Sequence, residues 1–437
     1  MGHAFRADRL RKLKKGLQAH EKRLSTALAK DLAKPEFEAY TTEIGFVLHD
    51  LTLTIRKLKA WMKPRRVRTP AFLQPASSRI LFTPLGVNLI MSPFNYPVVL
   101  TFSPLIAAIA AGNTAVIRTS RTTPHCSLAI RELIEEVFDP GHVACVPGEA
   151  ATGHEVLEPR YDHIFFTGSP RVGTMVMEAA SRHLTPVTLE LGGKSPCIVH
   201  SDARMDVAVK RIVYGKFMNA GQTCVAPDYV LVQESAQESF LDKIRDRIVS
   251  VFGRDASRSP DYGRIVNDRH FQRLVNLIDP SKVVTGGDSR AEDRYIAPTV
   301  MKDVTLEDRV MEEEIFGPVL PVMTYGSFDE MAGITGRMAQ HPLACYLFSQ
   351  NPGVQQELVS RLQFGGGCVN HCIQHLANPN LPFGGVGQSG IGQYHGFEGF
   401  KRFSHQKSLL KAGTWFDPPL IYPPYKGKLR WIRAILK

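Results

Sequence analysis

Nowhere in this chain do the roughly 18 apolar residues of a membrane-spanning helix follow one another. The basic start, Met1 to Lys15, has neither an apolar core nor a small-residue cleavage site, so no secretory signal is expected. Cysteine is sparse. Seven residues, an odd number at scattered positions, give no framework for an extracellular disulfide scaffold and point to a reducing, cytoplasmic compartment. Tandem repeats and low-complexity segments are also missing. What remains, 437 residues of which 43% are hydrophobic and 22% charged, describes a globular protein of two or three domains with ample length for a buried core.

Acid is the minority charge: 42 Asp and Glu stand against 53 Lys and Arg, for a net +11. The excess gathers at Arg6 to Lys15, Lys57 to Arg68 and Lys426 to Lys437. No nucleic-acid motif accompanies it, so no nucleic-acid partner is expected. The first cluster reads as the solvated face of one amphipathic helix, with Leu10, Leu13, Leu17, Leu24 and Leu28 on the apolar side. The last alternates cations with Leu429, Trp431, Ile432, Ile435 and Leu436. That pattern suits weak, reversible contact at a membrane surface, and suits equally a cap over the mouth of a site in the same or a partner subunit.

The middle of the chain alternates short strands and helices. Strands are expected at 86–91, 115–118, 142–146, 163–166 and 186–191. Helices are expected at 98–111, 124–138 and 171–183, with a short one from Glu149. Such alternation implies a doubly wound parallel sheet of α/β class, with ligands at the carboxyl ends of the strands. Past Leu191 the pattern restarts at 197–199, 205–218, 229–232 and 236–252, which predicts a second α/β domain.

Three elements carry chemistry. Cys224 lies in Gly221-Gln222-Thr223-Cys224-Val225-Ala226-Pro227, and Glu190 in Leu189-Glu190-Leu191-Gly192-Gly193-Lys194. A thiol and a carboxylate, each wrapped in small residues, suit a nucleophile and a water-activating base. Upstream, Asn95 in Pro93-Phe94-Asn95-Tyr96-Pro97 can donate to an oxyanion. Asn before an aromatic and a proline is also a good turn former, which is a second reading of the same residue.

These runs, together with Phe166 to Ser169, EEIFGPV from Glu313 and LPFGGVGQSG from Leu381, occur in an order that resembles the aldehyde dehydrogenase superfamily, most closely its class 3 branch of fatty and aromatic aldehyde dehydrogenases. The likeness extends from about Phe5 to about Pro424. It implies NAD(P)-dependent oxidation of an aldehyde, of medium or long aliphatic or aromatic type, by way of a Cys224 thiohemiacetal and thioester, with Glu190 as general base. It implies cofactor contacts at Gly168, Ser169, Gly173 and Leu191, with Glu314 on the nicotinamide ribose and Phe316 beside that ring. It also implies a homodimer. The corresponding division is a dinucleotide-binding part at 1–77 and 87–190, a catalytic part at 191–394, and a bridging, oligomerising part at 78–86 and 395–437.

The phosphate site is best placed at Thr167 to Gly173, where a glycine turn follows a strand and opens a helix; the same glycines could simply make a tight turn. Gly385 to Gly390 fits G-x-G-x-x-G but follows Leu381-Pro382-Phe383 and not a strand, and is read as a decoy. Gly193-Lys194-Ser195 imitates a P-loop end without its first glycine. The ribose site departs from the family pattern, in which Lys-Pro-Ser-Glu is usual. Here Arg118-Thr119-Ser120-Arg121 puts arginine where glutamate would repel a 2′-phosphate. NADP use at least comparable to NAD is therefore expected; the alternative is that Arg121 points to solvent and NAD prevails.

His371, Cys372 and His375 could ligate a metal, but no second cysteine pair stands at zinc spacing, and no metal is expected. Cys126, Cys145, Cys197, Cys345 and Cys368 read as small hydrophobes. Phe46, Phe94, Tyr96, Met218 and Phe364 are candidate liners of a substrate cavity. Two rival functions use the same fold: a coenzyme A-acylating enzyme, which needs no base like Glu190, and a catalytically retired binding protein, which would have lost Cys224, Glu190 or Asn95.

Overall fold

The computed structural model describes residues 1–148, 153–338 and 341–436. Its first sheet runs, in spatial order, Gly390–Ile391, Val187–Glu190, His163–Thr167, Val87–Met91, Thr114–Arg118 and Val143–Val146. All pairs are parallel except the first. Successive side chains of these strands point to opposite faces. Ile90, Ile117 and Phe165 pack with the helices Val99–Ala111 and Pro124–Val137, while Leu89, Ile164 and Phe166 pack with Pro170–Ser181 on the other side. The chain starts at the centre, winds out to Val143–Val146, then crosses back to His163–Thr167. Connections therefore diverge between Val87–Met91 and His163–Thr167, and a crevice opens at their carboxyl ends.

A second sheet has the order Val283–Thr285, Thr299–Met301, Val319–Tyr325, Tyr229–Gln233, Pro196–Val199, Ala344–Phe348 and Gly366–Val369, parallel except at its first edge. A third, antiparallel sheet joins Arg65–Val67, Ser77–Pro84 and Ser404–Lys411. Its last strand is exposed at seven of eight positions, Leu409 and Leu410 among them.

Two expectations need correction. The leucine stripe near the start belongs to two helices, His3–Ala19 and Glu21–Leu32, which break at His20; the break lets the second lie along Pro124–Val137. Arg6 is not solvated. It is buried, with Nη1 donating to the Ala110 carbonyl at 3.0 Å, and so satisfies the carboxyl end of Val99–Ala111. Gly112, at φ +93°, lets that guanidinium sit where a side chain would otherwise stand. The run Gly385 to Gly390 ends in the antiparallel edge strand that pairs Gly390 with Glu190, so its glycines serve sheet closure. The helix expected from Glu149 begins outside the described residues.

Candidate active site

Val87–Met91 delivers the turn that carries Asn95, a residue 2% exposed. Its Nδ2 donates to the Gln222 carbonyl at 3.0 Å, which uses one of two N–H bonds and leaves the other free. The side chain thus reaches across to the segment of Cys224 and does not hydrogen-bond within its own turn. The backbone carbonyl of Asn95 accepts from Asn219 Nδ2 at 2.9 Å and from Lys34 Nζ at 3.2 Å. Next to it, the Tyr96 hydroxyl and Thr223 Oγ1 are 2.8 Å apart.

Cys224 follows the helix Met205–Phe217 through a turn in which Asn219 and Ala220 are left-handed, at φ 53° and 50°. Such conformations cost energy in residues with a side chain and persist where the surroundings hold them. Here Glu38 accepts from the Asn219 N–H at 3.0 and 3.2 Å, and Gly221, at φ +75°, abuts the Gly317 carbonyl so closely that a Cβ would collide. The thiol is partly exposed. Burial first, then the charges of Glu314 and Glu190, push it up to about 12. In the protein alone it is therefore protonated at neutral pH, and a base or a nearby cation must release the thiolate.

Glu190 closes the strand Val187–Glu190 and is 3% exposed, and neither carboxylate oxygen has a hydrogen-bond partner among the described residues. Burial raises it well above the ordinary carboxylate range, against a smaller opposing pull from Arg402. An unpaired buried carboxylate is costly, which marks a group held ready for a ligand or water. Glu314 is pushed up to about 8 by burial and by the charge of Asp228, and its Oε1 also lacks a partner. A Cβ at 192 would run into the Glu314 carboxylate, so a larger residue there would push that group out of its place.

Lys194, which imitates a P-loop lysine in the sequence, is an internal strut. Its Nζ donates to Asp228 at 2.6 Å and to the carbonyls of Val310 and Glu313 at 3.0 and 2.9 Å, while Asp228 Oδ1 accepts from the Ile315 N–H at 2.9 Å. Together they fix the segment of Glu314 and of Phe316, itself left-handed at φ 51°.

Several groups expected to hold a dinucleotide stand at the carboxyl ends of the first sheet's strands. Gly168 and Ser169 follow His163–Thr167. Ser169 stands at the N-terminus of Pro170–Ser181 with its hydroxyl unused as a cap, and Gly173 packs on Leu191, where a Cβ would stand 2.9 Å from Cδ2. Arg118 ends its strand half-buried, its Nε without a partner among the described residues; burial and the charge of Arg121 lower it. Arg121 is exposed, and the Ser120 hydroxyl accepts from the Thr122 N–H at 3.2 Å. Orphaned carboxylate oxygens, a helix N-terminus without a side-chain cap and arginines that form no ion pair among the described residues fit a ribose- and phosphate-bearing cofactor.

Beside Cys224 opens an apolar cavity of about 160 Å³, lined among others by Phe46, Tyr96, Leu100, Met218, Leu376 and Phe383. Two expected liners are elsewhere: Phe94 packs edge-on against Phe316, ring centroids 5.7 Å apart, and Phe364 sits beside Gly367. Thr41 and Thr42, at the rim, come from the π-helical turn Tyr40–Ile44, which the sequence did not disclose. Among the described residues no group of three or more His, Cys, Asp or Glu is placed to hold a metal ion. Cys368 contacts His375 at 3.5 Å, and the His371 ring meets the backbone of Cys372.

A thiol beside an apolar cavity, with an unpartnered buried carboxylate at the carboxyl end of a parallel strand, fits an oxidoreductase that works on a carbonyl. The chain belongs to the aldehyde dehydrogenase family, whose model matches residues 1–409. It is 45% identical to 4,4′-diaponeurosporen-aldehyde dehydrogenase of Staphylococcus aureus over 99% of this chain and 95% of that one. It is 44% identical to the dimeric NADP-preferring aldehyde dehydrogenase of Mus musculus, covering 97% and 94%, and 41% identical to aldehyde dehydrogenase family 3 member A2 of Pongo abelii, covering 99% and 90%. The solved substrate-bound state of Staphylococcus aureus AldH superposes with a TM-score of 0.97 over 100% of this chain and 95% of that one, at 45% identity. The protein oxidises aldehydes to carboxylic acids with NAD(P).

Proposed function

We propose that Cys224 is the nucleophile, Asn95 the oxyanion donor and Glu190 the general base of this oxidation. The observation that carries the reading is the mostly buried Cys224 thiol at an apolar cavity, with an unpartnered buried Glu190 close enough for its charge to raise the thiol. Cys224 loses its S–H proton to solvent as Sγ bonds to the aldehyde carbon and the C=O π bond breaks, and the free Asn95 N–H and the Cys224 backbone N–H hold the resulting oxyanion. NAD(P), when bound, would supply the acceptor for the hydride that leaves this adduct. Glu190 then removes a proton from water, whose oxygen attacks the thioester carbon; the C–S bond breaks, the acid departs and the thiol is restored. Purified protein mixed with an aldehyde and NAD(P) is expected to form reduced cofactor. Apolar lining favours medium- or long-chain aliphatic and aromatic aldehydes.

Gly168, Ser169, Gly173 and Leu191 would receive the pyrophosphate side of the cofactor, Glu314 and Phe316 the nicotinamide end, and Arg118, Ser120 and Arg121 the adenosine ribose. Two arginines with no acid between them suit a 2′-phosphate through charge-assisted donation. NADP is thus expected to be used at least as well as NAD. Arg121→Glu is expected to raise KM for NADP by about tenfold while moving that for NAD by less than about threefold. A kcat/KM for NAD more than about tenfold above that for NADP in the parent protein would reject the assignment.

Residues 1–77 and 87–190 form the cofactor-binding part in this reading, and 191–394 the catalytic part. Segments 78–86 and 395–437 bridge two copies of the chain, because the open strand Ser404–Lys411 offers an edge for pairing. The tail beyond it exposes Trp415, Trp431 and Leu436 among basic residues, which suits weak contact with an anionic membrane surface. Among the described residues no helix is long and apolar enough to cross a membrane. Truncation after Lys411 is expected to abolish cosedimentation with anionic vesicles and to leave a sedimenting species of twice the chain mass. A monomeric parent protein, or undiminished vesicle binding, would count against these assignments.

A further inference from the structure

Lys34 and Glu43 form an ion pair whose side chains are both wholly buried. Lys34 follows the left-handed Ala33 that ends Glu21–Leu32, and Glu43 comes from the π-helical turn Tyr40–Ile44. Neither residue lines the substrate cavity. Both hold the turn of Asn95. Lys34 Nζ donates to the Asn95 carbonyl at 3.2 Å and stands 4.1 Å from the centroid of the Tyr96 ring. Glu43 Oε2, the oxygen not engaged by Lys34, accepts from the Val98 N–H at 2.7 Å.

A buried ion pair is a poor source of stability, because desolvating two charges offsets their attraction and apolar residues of similar volume often replace such a pair without loss. Apolar residues cannot donate to carbonyl 95 or accept from amide 98. Those two bonds grip the oxyanion turn at both ends. A third, from Asn219 Nδ2 to the same carbonyl, joins the turn to the nucleophile segment. We propose that Lys34 and Glu43 are positioning residues of the oxidation, which fix the Asn95 turn so that its free N–H meets the oxygen of the Cys224 adduct without further rearrangement. This rests on Asn95 being the oxyanion donor. A donor aimed at charge that develops only in the transition state acts on kcat and little on substrate binding.

The test is a cycle of four proteins: the parent, Lys34→Met/Glu43→Leu, Asn95→Ala and their combination, with kcat, aldehyde KM and melting temperature measured for each. In the parent background the pair of substitutions is expected to lower kcat by about 10- to 100-fold, as a misplacement of about 1 Å can do, with KM changed less than about threefold. In the Asn95→Ala background the same substitutions are expected to cost less than about threefold, because the donor they position is gone. Equal losses in both backgrounds would assign the pair a merely structural role and overturn the inference, as would a folded variant with the parent's kcat. Should the apolar pair fail to fold, Lys34→Arg, which keeps the charge but moves the donor, takes its place under the same criterion. Unchanged kcat in Asn95→Ala alone would instead overturn the oxyanion assignment, and this inference with it.

Discussion

Cys224→Ala is expected to lower kcat by at least about 10⁴-fold, since removal of a covalent nucleophile leaves only binding and polarisation to act. No other thiol can stand in. Cys126, Cys197, Cys345 and Cys372 are buried, and Cys145 and Cys368 lie on other strands, away from the cavity that Cys224 lines. Loss of reduced-cofactor absorbance should be accompanied by unaltered cofactor affinity, measured by quenching of protein fluorescence, because Cys224 makes none of the proposed cofactor contacts. A variant that still turned over within tenfold of the parent would remove the mechanism altogether.

Glu190→Gln is expected to separate the two halves of the reaction. Acylation of Cys224 still reduces one equivalent of cofactor per site, whereas hydrolysis of the thioester loses its base and slows by about 10²- to 10⁴-fold. Rapid mixing should therefore show a burst of about one equivalent followed by slow turnover. The pH profile supplies a second reading. Burial raises Glu190, so its unprotonated fraction, and with it kcat, grows as pH increases through the raised value; the glutamine variant should lack that limb. If the burst itself disappears, Glu190 also takes the thiol proton, and the base acts in both halves of the reaction. Undiminished steady-state turnover would exclude the role.

Much of this arrangement could be read in the sequence because it depends on local composition. Short Val, Ile and Phe runs between helices specify parallel strands, and the positions of Cys224 and Glu190 among small residues announce that something must come close to them. Long-range bonds leave no such trace. Lys34 and Glu43 look like charges on an exposed helical region, yet each bonds to a turn more than fifty residues away. Arg6 is hidden for the same reason, since a cation in a basic run gives no sign of the carbonyl it will meet. Phe94 and Phe364 show the converse: apolarity foretells burial but not the neighbour, and Phe94 turns to Phe316 and away from the substrate cavity. Lys194 lay inside a recognised motif, but its work as a strut depends on Asp228 and on carbonyls from 310 and 313, which only the folded chain brings near.

The strand Ser404–Lys411 has a neighbour, Ser77–Pro84, on one side only. A newly made chain thus carries a row of unanswered amide and carbonyl groups with leucines beside it, the ingredients of indiscriminate stickiness. Lys407 and Lys411 within that row oppose such pairing by their charge. Damage to this rim would accordingly appear first as protein lost to precipitation, in cells that still make every atom of a competent catalytic centre.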